Sequence, residues 1–360
     1  MPVFPDLTAA TPVSDDQAMR VAIAAAERVR GSTTPNPPVG CVVLDARGIP
    51  VAAAGTEPVG GPHAEPQALA AAAERARGGT AVVTLEPCNH TGRTGPCTRA
   101  LADAGVARVV FGVSDPNPVA AGGADWLTEQ GIDVRRGVLS GVIADTVLRP
   151  WLHWQATRRP HITLKTAGTL DGLAAASDGS SQWITAEKAR ERVHVDRSRR
   201  DAIAVGTGTV IADDPRLTAR RPDGGFHDHQ PLRVVVGEKD VPEHALVRGD
   251  GSPEDGGFRH IRTRDMETVV DVLADLGIVD VLVEGGPRLA GAFLSAGLVD
   301  AVESYVAPAL LGAGTAVADT GTETTINDIT RFRTVSVETL GDDVLIRAVR
   351  PGGGKSTGRP

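Results

Sequence analysis

Aromatic side chains are scarce in this chain: four Trp, one Tyr and six Phe make up 3% of it. Basic residues are outnumbered too, 37 against 45 acidic ones, for a net charge of −8. A nucleic-acid surface wants a basic face and stacking rings, so none is expected. Long apolar runs are missing as well; none approaches the roughly 20 residues of a membrane span. Met1 to Ser14 has no basic segment leading into an apolar core, so no secretory signal is expected there. Cysteine is reduced to Cys41, Cys88 and Cys97. Three thiols make no disulfide framework, and a reducing cytosol is the expected setting.

What remains is ordinary globular material, 41% hydrophobic and 23% charged, in 360 residues. That is enough for two domains of usual size. The densest chemistry lies between His63 and Cys97. Pro62 precedes a run rich in Ala and Leu, Ala64 to Arg77, that stops at Gly78-Gly79. This is a helix with proline before its start and glycine after its end. Ala81 to Leu85 reads as a short buried strand feeding Glu86-Pro87-Cys88. Two helix N-termini thus gather one imidazole (His63), two thiols (Cys88, Cys97) and one carboxylate (Glu65).

Taken singly, a His-Ala-Glu is common, and two cysteines in a cytosolic chain are more often inert core thiols. In this order they make the His-x-Glu…Pro-Cys signature of zinc deaminases. Three protein ligands and one open position characterise catalytic rather than structural zinc. Water held there has its pKa lowered towards about 7. Glu65, two residues after His63, can reach that water without being a ligand. It is the expected proton shuttle to a leaving amine.

Along the rest of the chain, residues 1–14 read as a loose lead, and Ser14 caps a helix with apolar positions Ala18, Val21, Ile23 and Ala25. Strands are expected at 40–45, with Cys41 a small core residue, at 108–113 and at 132–136, and a helix at 125–130. A helical pattern covers 139–157, and the domain change is placed inside it, giving 15–146 and 147–351. Strands in the second half are expected at 162–166, 202–205, 233–236, 279–283, 301–307, 333–338 and 344–349, with helices at 186–199, 266–276 and 287–296. The layout is alternating α/β. Residues 352–360 read as a disordered tail.

Val281 to Pro287 is an apolar strand running through Glu284-Gly285-Gly286 into a helix, a junction that lets backbone approach phosphate. An ordinary strand–helix turn is the simpler reading of a bare Gly-Gly-Pro. The Gly-x-Gly-x-x-Gly spacing is absent, so a standard dinucleotide fold is not expected.

General zinc deaminases carry Cys-x-x-Cys, whereas eight residues, Asn89 to Pro96, separate the two cysteines here. That insert resembles the loop of the riboflavin-biosynthesis deaminase, and Thr33 to Gly40 and Asp115-Pro116-Asn117-Pro118 match the same family. Leu164 to Gly172, Ser181 to Thr185 and Gly208 to Thr218 resemble, in order, the reductase half of those enzymes. The chain therefore resembles the bifunctional diaminohydroxyphosphoribosylaminopyrimidine deaminase/5-amino-6-(5-phosphoribosylamino)uracil reductases over nearly its whole length. Two departures stand out: Pro66 follows His-Ala-Glu where the family has Val, and Thr56-Glu57 stand where it often has a histidine.

The resemblance implies a cytidine-deaminase-like three-layer domain, then a dihydrofolate-reductase-like α/β domain. It implies one Zn2+ per chain on His63, Cys88 and Cys97, with Glu65 catalytic and Asn36, Asp115 and Asn117 holding substrate. NADPH would meet Ala167, Trp183, Thr209, Asp213 and the segment from Gly286 and Pro287 to Ala292. Ser181, Arg197, Leu217, Arg220 and Glu284 would hold the phosphoribosyl substrate, the two guanidiniums suiting its phosphate. Lys165, Asp171 and Glu284 are candidate proton donors. The partner is a small phosphoribosylaminopyrimidine, with no nucleic acid and no membrane, and the assembly a homo-oligomer. Two rivals stay open: a deaminase of another nucleobase, and a zinc-stabilised binding protein without turnover. The reductase-like half counts against the first and Glu65 against the second.

Overall fold

A computed structural model describes residues 11–90, 95–117, 122–252, 255–321 and 325–351. Residues 1–10 of the expected lead, 91–94 of the cysteine loop, Pro118 and the expected tail 352–360 lie outside the described residues. Two compact units part between Gln155 and Ala156, nine residues beyond the boundary placed on the sequence pattern.

The first unit contains α1 (Asp15–Val29), β1 (Gly40–Leu44), β2 (Pro50–Gly55), α2 (Ala64–Ala72), β3 (Thr80–Leu85), α3 (Cys97–Asp103), β4 (Arg108–Val113), α4 (Gly123–Glu129), β5 (Asp133–Arg135) and α5 (Ser140–Asp145), and α6 (Arg149–Thr157) follows. Its sheet has the order β2-β1-β3-β4-β5. β1 is antiparallel to β2 and β3, whereas β3, β4 and β5 are parallel. Ser14 caps α1 in a full capping box with Gln17. The helix buries Ala18, Met19, Ala22, Ala25 and Ala26, while Val21 and Ile23 are half-buried. These small residues let it lie close on β1: a Cβ on Gly40 would meet the Ala22 carbonyl oxygen at 1.9 Å.

Two expectations needed adjustment. The helix from Ala64 breaks at Ala72, where Ala73 takes φ of 49° and a turn of 3-10 helix runs to Ala76. The helical pattern over 139–157 is two helices, because Pro150 sits in the first turn of α6, where a missing N–H costs nothing.

The second unit contains β6 (His161–Thr169), β7 (Leu173–Ala176), α7 (Glu187–Arg197), β8 (Ala202–Gly206), α8 (Thr207–Asp213), β9 (Leu232–Val236), β10 (Phe258–Ile261), α9 (Met266–Asp275), β11 (Asp280–Val283), α10 (Pro287–Ser295), β12 (Ala301–Ala307), β13 (Gly314–Ala316), β14 (Arg333–Leu340) and β15 (Asp343–Val349). Its main sheet runs β10-β9-β8-β11-β6-β12-β15-β14, parallel as far as β12 and antiparallel beyond. Strand alternation divides its core. Ala202, Ala204, Val281 and Val283 pack with α9 and α10, while Ile203, Val205 and Leu282 pack with Val210 and Leu217. Both units are α/β.

Candidate active sites

β3 and β4 are parallel, so the loops after them leave the same edge of the first sheet. The loop after β3 brings Cys88, that after β4 brings Asp115, and the starts of α2 and α3 bring His63 and Cys97. His63 is the N-cap of α2, and Gln67 fixes its backbone by donating from Nε2 to the carbonyls of Gly55, Pro62 and His63. Pro66 stands within the first turn, where it leaves α2 intact. Thr98 ties the two cysteine segments together, donating its N–H to the Cys88 carbonyl at 3.3 Å and its hydroxyl to Asn89 Oδ1 at 2.8 Å.

His63 Nδ1 lies 3.6 Å from Cys88 Sγ and 3.4 Å from Cys97 Sγ. All three donor atoms fall within 4.8 Å of one another. A tetrahedral zinc with Zn–N of about 2.0–2.1 Å and Zn–S of about 2.3 Å separates N and S by about 3.6 Å. The donor set therefore fits zinc in both chemistry and spacing. A Cys97 hydrogen bond, helped by His63, pulls the Cys88 thiol down to about 4, while Cys97 is pushed up. Cysteine binds metal as the thiolate, so a divalent cation arriving here would displace thiol protons. Glu65 is 3% exposed. Burial and then the negative charge of Cys88 raise its carboxyl to about 7, the range in which a group can both take and give a proton at neutral pH.

Asp115 accepts the N–H of Asn117 at 2.8 Å, and burial, with the charges of Glu86 and Cys88, raises its carboxyl. Asn36 is half-buried in a turn, its N–H donating to the Thr33 carbonyl at 2.8 Å. Sequence reasoning passed over Glu86 within its Glu-Pro-Cys motif. This buried carboxylate accepts from the backbones of Asp115 and Ala124.

In the second unit, the carboxyl ends of parallel strands again supply the residues. Glu284, just past β11, takes a bidentate pair from Arg197 on α7, Nε at 2.7 Å and Nη2 at 2.9 Å. Lys165 Nζ, on β6, stands 3.8 Å from the same carboxylate. Against the burial that would raise it, these cations hold Glu284 at about 2. Burial lowers the Lys165 ammonium, opposed by Glu284. Arg197 is thus engaged by Glu284 rather than free as a phosphate clamp. Arg220 lies against His194, Nη2 to Nε2 at 3.4 Å, while His194 Nδ1 donates to the Thr218 carbonyl at 3.0 Å. Burial, then Arg197 and Arg220, depress His194 to about 4 and keep it neutral. Nothing in the sequence singled out this histidine beyond its three-residue spacing from Arg197 on α7.

Thr209 and Gly286 come together, the Gly286 N–H donating to Thr209 Oγ1 at 3.1 Å. This joins two strand–helix junctions, β8 to α8 and β11 to α10, on adjacent parallel strands. A Cβ at Gly208 would meet nothing within 4 Å, so backbone there is open to close approach. Pro287 opens α10, and Asp213 ends α8, exposed. Ala167 is on β6, paired with Tyr305. Trp183 is 70% exposed with the Arg190 guanidinium 4.5 Å from its ring centroid, and Ser181 is exposed nearby in sequence. Leu217 is buried in the core at φ of 55°, leaving its main chain rather than its side chain to meet a ligand. Asp171 accepts from the N–H groups of Leu311 and Gly312.

Comparison with known proteins gives a consistent result. Residues 12–113 match the cytidine and deoxycytidylate deaminase zinc-binding region, and residues 160–346 match the RibD C-terminal domain. The riboflavin biosynthesis protein RibD of Mycobacterium tuberculosis (strain H37Rv) is 50% identical over 93% of this chain and 97% of its own length. The structure of Acinetobacter baumannii RibD (form 1) is 35% identical, with TM-score 0.80, covering 94% of this chain and 99% of that one. A Thermotoga maritima structure is 32% identical, with TM-score 0.81, covering 93% and 98%. It is described as a diaminohydroxyphosphoribosylaminopyrimidine deaminase/5-amino-6-(5-phosphoribosylamino)uracil reductase.

Proposed function

Since this chain belongs to the RibD family of riboflavin-biosynthesis proteins, we propose how its residues divide the family's two reactions. It is a bifunctional deaminase/reductase, with a cytidine-deaminase-like fold followed by a dihydrofolate-reductase-like one. In this reading the deaminase half begins at residue 15, the reductase half ends at residue 351, and the change lies within 147–156. The working form is a homo-oligomer acting on a small molecule in the cytosol, where Cys41, Cys88 and Cys97 form no disulfide.

The first half removes the C2 amine of 2,5-diamino-6-(5-phosphoribosylamino)pyrimidin-4(3H)-one. His63, Cys88 and Cys97 would hold one zinc ion, which would supply an acidified water for attack at neutral pH. Glu65 takes a proton from the attacking water on a carboxylate oxygen and passes it to the departing nitrogen, so that ammonia leaves. Asn36, Asp115 and Asn117 orient the ring and the ribose.

The second half reduces the ribosyl group of 5-amino-6-(5-phosphoribosylamino)uracil to ribityl. Bound NADPH would supply the hydride that this reduction needs at C1 of the ribosyl group, and the protein supplies the proton for the imine nitrogen. Ala167, Trp183, Thr209, Asp213, Gly286 and Pro287 bind the cofactor. Ser181, Arg197, Leu217, Arg220 and Glu284 form the substrate side, with Arg220 facing the phosphate and Arg197 setting Glu284. Of the three candidate acids, Lys165 and Glu284 stand together, while Asp171 is engaged by backbone N–H groups. Lys165, its ammonium weakened by burial, is the proton source in this reading.

The observation that carries the reading is the convergence of His63 Nδ1, Cys88 Sγ and Cys97 Sγ beside a buried Glu65. Glu65→Gln tests it. Zinc content stays at the wild-type level, NADPH oxidation with the deaminated substrate is unchanged, and ammonia release falls about 10²- to 10⁴-fold. Undiminished ammonia release would sink the mechanism.

A further inference from the structure

Glu86 is a buried carboxylate, 7% exposed, that neither reaction has used so far. It follows β3 and stands two residues before Cys88. Its own N–H donates to the Val113 carbonyl at 2.8 Å, continuing the β3–β4 pairing. Its side chain then accepts twice, Oε2 from the Asp115 N–H at 3.3 Å and Oε1 from the Ala124 N–H at 3.1 Å. Those amides stand at the two ends of the segment joining β4 to α4. One side chain therefore fastens both ends of that segment to the loop that carries Cys88. The approach is tight: a Cβ on Gly123 would meet the Pro87 carbonyl oxygen at 1.9 Å. Asp115 passes the constraint on by accepting the Asn117 N–H at 2.8 Å.

A carboxylate suits this place because it only accepts, with both oxygens, whereas an amide would turn a donor towards one of the two N–H groups. We propose that Glu86 is a positioning residue, which sets Asp115 and Asn117 against the His63–Cys88–Cys97 centre so that bound pyrimidine presents its C2 amine there. The proposal rests on the deaminase reading above. Glu86 itself touches no reacting atom; it acts through Asp115.

The test uses the full-length, zinc-loaded protein and the Glu86→Gln variant. KM for the diaminopyrimidine substrate rises about tenfold while kcat stays within about threefold, since one buried donor is left without its acceptor. Zinc content and NADPH oxidation with the deaminated substrate remain those of the wild type. In an Asp115→Asn background the same substitution raises KM by less than it does in the wild type, a coupling that a general structural role would not produce. Glu86→Asp is the second variant: it keeps the charge but is one methylene too short to span both amides, and it gives the same KM split. Unchanged KM in both variants, additive effects with Asp115→Asn, or zinc lost along with activity each overturn the proposal. A wild-type protein that releases no ammonia overturns the deaminase reading, and the proposal with it.

Discussion

At the scale of single residues, Glu284 ties the reductase half to pH. Its carboxyl falls from an ordinary 4.5 to about 2, because Arg197 and Lys165 outweigh the cost of burial. A depressed carboxyl contributes stability that is fully present above its unfolded value and is lost as pH falls through the folded one. Glu284→Gln leaves the Arg197 guanidinium buried without its anion, which costs about 3 kcal/mol near neutrality. The gap between the two proteins in the reductase unit's unfolding transition then narrows as pH drops below about 4.5 towards 2. Thermal melts across that range read it, and a gap constant with pH would contradict the account. The convergence of His63, Cys88 and Cys97 near Glu65 was legible in the sequence because each carries its chemistry in its own side chain at a fixed local spacing. Arg197 was legible as a residue but not in its engagement, since only the fold brings Glu284 to it from 87 positions away. Glu86 and His194 left no such signal, because what they do is hold distant backbone.

At the scale of elements, close packing of small residues positions the first site. Gly40 opens β1 under α1, and a Cβ there would strike the Ala22 carbonyl oxygen at 1.9 Å and the Ala26 nitrogen at 2.8 Å. Both are backbone atoms and cannot swing aside, so the helix must shift. Gly40→Ala is expected to destabilise the deaminase unit by about 1–3 kcal/mol, seen as a lower melting temperature for that unit. An unchanged melt would show that α1 yields freely. Among the strands that the sequence disclosed, β3, β4, β8, β9 and β11 are short runs dominated by Val, Leu, Ile and Ala, largely buried on both faces. β2 escaped notice because Pro50-Val51-Ala52-Ala53-Ala54-Gly55 has little β propensity; as an edge strand it tolerates proline at its first position. β7 and β13 were missed for a related reason. Each is three or four small residues, stabilised by pairing with the other across more than a hundred positions.

At the scale of the whole molecule, two units on one chain carry two chemistries, and each serves as the control for the other. On the proposed assignment, chelation would remove the ion held by His63, Cys88 and Cys97 and leave Glu284, Arg197 and Lys165 untouched, separating the reactions without a mutation. The most direct measurement follows ammonia release and NADPH oxidation together, on zinc-loaded protein given the diaminopyrimidine ribosyl phosphate, before and after adding NADPH. The account predicts ammonia without NADPH and oxidation once it is added. After chelation, ammonia release stops while oxidation of NADPH by the already deaminated substrate continues. Ammonia release that persists after the metal is stripped, or NADPH oxidation that needs no prior deamination, would contradict it.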